Sequence, residues 1–170
     1  YALASRYGDH PAMVAGQRTV SYRQLADTAT RSARMFQDAG IRPGDRVGIA
    51  LRDSIDVVLS MVGLWMADAV AVPLDFRSRK DERETLAREF DLSGILEDRS
   101  AGGGFASILL DGNWREAMER KDSASLDSPL SGHFPALISL TSGTTGKPLG
   151  IVVAHHAILA RALCYGLECD

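Results

Sequence analysis

The chain contains the stretch Ala136-Leu-Ile-Ser-Leu-Thr-Ser-Gly-Thr-Thr-Gly-Lys-Pro-Leu-Gly-Ile-Val-Val153, in which a polar segment separates two apolar runs. The runs 136–140 and 150–153 have the length and apolar composition of buried strands. Glycines, hydroxyl side chains and one lysine make up the segment between them. After the second run, His155 begins a helical pattern.

The polar segment has the groups that bind phosphate. Its glycines let the backbone approach a ligand closely, and successive backbone N–H groups in such a loop form a nest for an anion. The hydroxyls donate hydrogen bonds to phosphate oxygens, and the lysine adds a positive charge. No carboxylate interrupts the loop. The predicted phosphate-binding residues are Thr141, Ser142, Gly143, Thr144, Thr145, Gly146 and Lys147.

Two better-known motifs do not fit this segment. The common P-loop needs four residues between its glycines and a serine or threonine after its lysine, whereas here two residues lie between the glycines and Pro148 follows Lys147. A nucleophile elbow requires glycine where Leu140 stands. An ordinary surface turn rich in serine, threonine and glycine is the alternative that the residues alone leave open.

Upstream of this segment, strands alternate with helices, which predicts an α/β fold with a mainly parallel sheet covered by helices on both faces. An N-terminal hairpin should lead into a helix that Ser21 caps, with Gln24 completing a capping box. The charged residues Lys80–Glu84 are interpreted as a solvated helix face. Strands are predicted at 12–15, 19–22, 46–51, 69–74, 93–96 and 105–110, helices from 53 or 54 to 67, at 81–90 and at 114–120, and connectors at 101–104 and 121–132.

The amino-acid composition excludes several classes of protein. The chain has 170 residues, of which 45% are hydrophobic and 24% charged, as in one globular domain rather than a disordered, collagen-like or disulfide-rich chain. A net charge of -3 does not predict a nucleic-acid partner. No apolar run reaches the ~20 residues of a membrane span. The two cysteines favour a reducing, cytoplasmic setting over a disulfide framework.

Continued through Gly150, the polar segment resembles the phosphate-loop signature of the adenylate-forming superfamily, which includes acyl-CoA synthetases, adenylation domains of peptide synthetases and luciferases. Val20-Ser-Tyr22, Gly44-Asp-Arg-Val47 and Val72-Pro-Leu-Asp75 match further family segments in the family's order. Leu149 replaces a usual second lysine, and Ala154 a usual threonine or serine. The resemblance covers residues 1–170 as the N-terminal portion of the family's large domain, without the rest of that domain or the small C-terminal domain.

The resemblance implies an enzyme that activates a carboxylic acid with ATP and magnesium, releases pyrophosphate and transfers the acyl group to a thiol such as CoA. It implies that residues 141–147 hold the β- and γ-phosphates, that Thr141 contacts magnesium and that His155 lies on the substrate side. The family's adenine, ribose and catalytic-lysine segments do not match any part of the chain. We therefore expect the isolated chain to be catalytically silent and, with unpaired strand edges and apolar surface, to form homo-oligomers.

The leading hypothesis is the N-terminal part of an ATP-dependent carboxylate–CoA ligase for a fatty or other organic acid. The form of the segment from Leu140 to Pro148 resembles free-standing acyl-CoA synthetases slightly more than peptide synthetases. An adenylation domain of a peptide synthetase is one alternative, and a truncated, non-catalytic domain that only self-associates is another. The residues do not indicate which acid is activated.

Overall fold

The computed structural model describes residues 1–99, 105–126, 132–141 and 148–168, with side chains through residue 164. Its strands are β1 (Pro11–Ala15), β2 (Arg18–Ser21), β3 (Arg46–Ala50), β4 (Val70–Pro73), β5 (Leu92–Glu97), β6 (Ser107–Leu109), β7 (Pro135–Thr141) and β8 (Leu149–Ala154). Its helices are α1 (Ala2–Tyr7), α2 (Tyr22–Asp38), α3 (Ser54–Met66), α4 (Lys80–Glu89), α5 (Gly112–Glu119) and α6 (His155–Glu168). The predicted connector 101–104 and part of the loop 121–132 lie outside the described residues.

Six strands form one sheet in the order β6-β5-β3-β4-β7-β8. The neighbours from β6 to β7 pair in parallel, and β8 pairs with β7 in the antiparallel sense. Strands β1 and β2 form the separate N-terminal hairpin. The prediction of a mainly parallel sheet with an N-terminal hairpin is therefore confirmed.

Helices cover both faces of the sheet, also as predicted. Side chains alternate between the faces along a strand. In β3, Val47 and Ile49 belong to a core that includes Leu64 of α3, whereas Ala50 belongs to a second core with Ala87 of α4. Helix α2 packs on α3 as an outer layer. None of the helices in the described ranges combines the length and the apolar character that crossing a membrane requires.

The two predicted helix starts are confirmed in atomic detail. The Ser21 hydroxyl accepts a hydrogen bond from the Gln24 backbone N–H, and the Gln24 side chain accepts one from the Ser21 N–H. The Asp53 carboxylate caps α3 by accepting from the backbone N–H groups of Ile55 and Asp56. Each cap satisfies N–H groups that have no partner within the helix.

Helix α1 is a feature that the sequence did not predict. It has six residues, none of them buried, and its N-cap residue Tyr1 makes no side-chain hydrogen bond to it. It therefore lacks both the capping signal and the apolar stripe on which helix prediction depends. The remaining differences are shifts of element ends, such as β6, which is shorter than the predicted strand at 105–110.

Candidate functional site

The candidate site lies at one edge of the sheet, where the parallel strands end. Strands β3, β4, β5, β6 and β7 run in the same direction, so their carboxyl ends meet at this edge. Thr141 ends β7 there, and Leu149 begins the antiparallel β8 there. Ligands of open α/β sheets bind in crevices at the carboxyl ends of the strands. Thr141 and Leu149, which flank the predicted phosphate loop, thus lie at the edge at which a ligand is expected.

Thr141 and Leu149 form the neck of this connection. They are the last paired residues of the β7–β8 ladder, and the Thr141 hydroxyl donates a hydrogen bond to the Leu149 carbonyl oxygen over 3.4 Å. Both residues are exposed. Of the seven predicted phosphate-binding residues, Thr141 is described; Ser142, Gly143, Thr144, Thr145, Gly146 and Lys147 lie outside the described residues. Their role in phosphate binding stays a prediction.

The segment after β4 contributes charge beside β7. Asp75 follows this strand, and its carboxylate accepts two hydrogen bonds from the Arg77 guanidinium, at 3.0 Å each. These bonds, with one from the Arg77 backbone N–H, lower the pKa of Asp75 below its usual value. Because Arg77 neutralises the carboxylate, this segment places no uncompensated negative charge from Asp75 at the ligand edge.

His155 lies at the opposite edge of the sheet. It follows β8, which runs antiparallel for six residues away from the neck, a distance of about 20 Å at ~3.4 Å per residue. Its ring meets Trp65 edge-on, with centroids 5.6 Å apart, and burial lowers its pKa while Asp68 partly offsets that effect. The structure therefore does not bring His155 together with Thr141. Its assignment to the substrate side stays a prediction.

A buried ion pair at the ligand edge was missed by the sequence analysis. Arg83 of α4 lies 3.1 Å from Glu97, the last residue of β5, and both side chains are nearly buried. Arg83 also donates to the Ser78 carbonyl oxygen over 2.6 Å. The interpretation of Lys80–Glu84 as a wholly solvated face is thus wrong at Arg83. A single acid at the end of the apolar strand β5 was the signal that could have revealed it.

This ion pair has a structural consequence for the edge. It holds the segment between β4 and α4 against the end of β5, and it borders a cavity of about 150 Å³ that Arg52, Phe76 and Asp98 also line. Breaking one partner of such a buried pair typically costs about 3–5 kcal/mol. The ion pair therefore ties α4 to the end of β5 at the ligand edge.

The described residues do not contain a ready-made metal centre. Within the described ranges, no group of three or more histidine, cysteine, aspartate or glutamate side chains is arranged to hold a metal ion. The histidines His133 and His156 have their ring centroids 4.7 Å apart, but both are exposed.

Comparison with known proteins identifies the family. The model of the family described as AMP-binding enzyme matches residues 2–169. This chain belongs to that family. Membership of this family implies the use of ATP, and the superfamily resemblance noted in the sequence is confirmed.

The curated relatives of this AMP-binding chain include peptide synthetases. Phosphinothricin tripeptide synthetase PhsC from Streptomyces viridochromogenes is 32% identical over 91% of this chain, which covers 15% of that protein. Surfactin synthase subunit 1 from Bacillus subtilis is 30% identical over 95% of this chain, which covers 5% of that protein. The chain thus spans a small part of the curated relatives that it matches. These relatives do not support the expected acyl-CoA synthetase and fatty-acid specificity.

Solved structures agree with the fold. The Klebsiella oxytoca NpsA N-terminal subdomain in complex with 3-hydroxyanthranilyl-AMSN superposes with a TM-score of 0.78, at 26% identity, over 91% of this chain and 39% of that one. The nonribosomal peptide synthetase FmoA3 gives a TM-score of 0.82 at 25% identity, over 99% of this chain and 18% of that one. The AMP-binding chain therefore has the α/β fold of the N-terminal subdomain of adenylate-forming enzymes.

Proposed function

We propose that this chain is the phosphate-binding part of a peptide-synthetase adenylation domain, which activates an amino or aryl acid with ATP and passes it to a carrier-bound thiol. Peptide synthetases among the relatives support this choice over a fatty-acid ligase. So does the likeness to NpsA, whose structure contains a hydroxyanthranilyl group. The single observation that carries the proposal is the neck formed by Thr141 and Leu149 at the ligand edge.

The chemical problem of adenylation is the management of charge. A carboxylate must attack an α-phosphate that is itself anionic, and pyrophosphate must leave with additional negative charge. Preorganised donors aimed at that charge are the largest contribution to such catalysis. The proposed donors in this chain are the backbone N–H groups of 142–146, the loop hydroxyls and the ammonium of Lys147.

Thr141 has a geometry that fits a shared magnesium ion. Its hydroxyl hydrogen is engaged with the Leu149 carbonyl, so oxygen lone pairs remain for a cation at the ligand edge. Magnesium commonly binds through few protein oxygens together with waters and substrate phosphates. Bound in that way, the ion would neutralise phosphate charge, while Thr141 would fix the position of the loop.

A carboxylate–CoA ligase is the second candidate. The form of the segment that begins at Leu140 favours it slightly, and the AMP-binding family is compatible with it. CoA would then replace the carrier-bound thiol as the acceptor. The third alternative is a non-catalytic domain that only self-associates, and it predicts that no nucleotide binds.

The acid and acceptor can be tested with the complete gene product that contains this chain. ATP–pyrophosphate exchange should depend on an amino or aryl acid and should be absent with fatty acids. Exchange with a fatty acid, followed by release of its CoA thioester, would instead favour the second candidate. Residues 1–170 alone are expected to give no exchange. Positioning of the reacting groups lowers the activation barrier by about 7–11 kcal/mol, and it requires the family's adenine, ribose and catalytic-lysine segments, which match no part of this chain. Turnover by these residues above a Lys147→Ala control would contradict that expectation.

A further inference from the structure

A cavity of about 360 Å³ lies in the helix layer, between α2, α3 and α5. We call it the helix-layer cavity, and its walls include Thr28, Ser32, Leu59, Ser60, Trp114 and Met118. Its volume is within the range of pockets that hold small molecules. None of the residues from Thr141 to Leu149 lines it as far as the structure describes them.

The cavity is distant from the candidate phosphate site. Leu110, which follows β6, lines the cavity, and β6 lies four strands away from β7 in the sheet. At ~4.8 Å between neighbouring strands, this separation is about 19 Å. An occupant of the cavity would therefore not be the nucleotide phosphates.

Ser60 gives the cavity a hydroxyl that has no partner in the described part of the chain. The residue is 3% exposed, it lines the cavity, and its hydroxyl makes no hydrogen bond within the described residues. Its oxygen is not among the fully enclosed side-chain atoms that lack a partner, so it opens into the cavity, where water or a ligand can hydrogen-bond to it. The hydroxyl of Ser60 is therefore available to a partner that enters the cavity.

Ser32 adds a second weakly satisfied hydroxyl to the same cavity. It is 6% exposed, and its only hydrogen bond within the described residues goes to the Met118 sulfur, at 3.2 Å. A thioether sulfur is a weak acceptor. A ligand that has a stronger acceptor would compete for this hydroxyl, and the methionine side chain is flexible enough to move aside.

The rest of the wall is apolar and partly rigid. The Trp114 ring stacks on the buried Phe36 ring, with centroids 5.8 Å apart and 28° between the planes, which fixes the indole in place. Leu59 and Leu110 extend the apolar surface. A preformed aromatic and aliphatic wall favours a ligand with a flat apolar body.

The charges at the mouth of the cavity are balanced. Asp56 pairs with Arg18 over 2.8 Å and with Arg115 over 3.0 Å, and Glu119 adds a second negative charge to the lining. Burial tends to lower the pKa of Arg18, but the nearby Asp56 and Asp53 outweigh it and raise that pKa. Two positive and two negative side chains give the mouth no net charge, so nothing there selects an ionic ligand.

We propose that the helix-layer cavity binds a small uncharged molecule, with an apolar body of one or two rings and a hydroxyl or amide group that hydrogen-bonds to Ser60. The proposal is independent of the adenylation function, because the two sites share no residue within the described ranges. It assigns the hydroxyls of Ser60 and Ser32 to ligand recognition.

The probe for this proposal is 6-fluoro-2-naphthol, titrated into the chain and followed by fluorine NMR. We expect saturable binding, with an affinity about three- to tenfold higher than that of 2-fluoronaphthalene, which lacks the hydroxyl. The anion 6-fluoro-2-naphthoate should bind more weakly than the naphthol. Absence of saturable binding up to the solubility limit of the naphthol, or its displacement by a nucleotide, would overturn the proposal.

Variants of Ser60 locate the site. Ser60→Ala should reduce the affinity for the naphthol to that for 2-fluoronaphthalene, and Ser60→Leu should abolish binding because the larger side chain fills the cavity. Ser54→Ala, at the exposed start of the same helix, is the matched control and should bind like the unmodified chain. Equal naphthol affinity in the unmodified chain and Ser60→Ala overturns the proposal. If the amide NMR spectrum shows that Ser60→Leu is unfolded, the naphthol affinity of Ser60→Ala alone tests the proposal.

Discussion

The indole N–H of Trp65 donates a hydrogen bond to the carbonyl oxygen of Ala136 over 2.7 Å. The bond joins the last turn of α3 to the first residues of β7, at a point where the register of the β7–β8 ladder shifts. The same indole packs against the His155 ring. One side chain thus connects α3 with the start of β7, the strand that leads to the neck at Thr141, and with the first residue of α6.

Trp65→Phe should destabilise the chain by at least about 1 kcal/mol, because it removes this hydrogen bond while retaining an aromatic ring. The measurement is the free energy of unfolding in urea. Trp114→Phe is the control, since it removes an indole whose N–H makes no hydrogen bond within the described residues. Equal losses in the two variants would show that ring volume, rather than the bond to Ala136, is what matters.

Local features of the fold could be predicted from the sequence, whereas the order of the strands in the sheet could not. The caps at Ser21 and Asp53 depend on residues two or three positions apart, so their patterns are complete in the sequence. The order of the strands is different, because the connection from β4 passes β3 and places β5 on the other side of β3. Nothing local to Leu92–Glu97 specifies that crossover.

In the candidate site, too, local features were predicted from the sequence and long-range contacts were not. The strands that lead to the neck were predicted from their apolar runs, whereas the hydrogen bond between Thr141 and Leu149 was not. The buried partner of Arg83 and the free hydroxyl of Ser60 were not predicted either, because each depends on an element far away in the sequence. The sequence also does not distinguish a fatty-acid ligase from a peptide synthetase, because the predicted phosphate loop would contact a part of the substrate that both classes share.

Gly63 allows the helices α2 and α3 to approach each other closely. A Cβ at this position would lie 2.9 Å from the Ser32 Cβ and 3.2 Å from the Ala29 carbonyl oxygen. Gly63→Ala should therefore destabilise the chain by about 1–3 kcal/mol, although alanine is the better helix former. Thermal unfolding measures the effect. Gly112→Ala, in open space at the start of α5, should be neutral or stabilising by up to about 1 kcal/mol. A stable Gly63→Ala would mean that the two helices can separate at little cost.

Asp53 should make the stability of α3 depend on pH. Burial tends to raise its pKa, but hydrogen bonds from the backbone of Asp56 and Ile55 and the charge of Arg18 outweigh it and lower that pKa. A lowered pKa contributes stability above the ordinary value of about 4, and the contribution is lost as pH falls through the lowered value. The unmodified chain should thus lose stability relative to Asp53→Asn as pH falls below about 5.

The comparison is made by urea unfolding at several pH values. Asp53→Asn and Asp53→Ser both keep a capping side chain but remove the titrating group, so they should behave alike. A stability difference between the unmodified chain and Asp53→Asn that stays constant from neutral pH to pH 4 and below would refute the assignment.

The edge strand β8 should drive self-association of the chain. Leu149, Ile151 and Val152 are 59%, 55% and 60% exposed, and an apolar edge strand invites pairing with a second copy. We expect a dimer or larger oligomer by light scattering. Ile151→Lys should shift it toward monomer, whereas Val14→Lys, at an exposed site in the separate hairpin, should not. A stable monomer at high concentration would count against this surface.

The most direct test of the proposed function is a calorimetric titration of the chain with the ATP analogue AMPPNP and with inorganic triphosphate. Both ligands should bind, and Lys147→Ala should weaken both by about ten- to a hundredfold, because a charge-assisted hydrogen bond is worth about 1.5–3 kcal/mol. Lys80→Ala changes the net charge equally but lies on α4, where Lys80 pairs with Glu84, and its affinities should match those of the unmodified chain. Equal affinities for the unmodified chain and Lys147→Ala would contradict a phosphate-binding loop between Thr141 and Leu149.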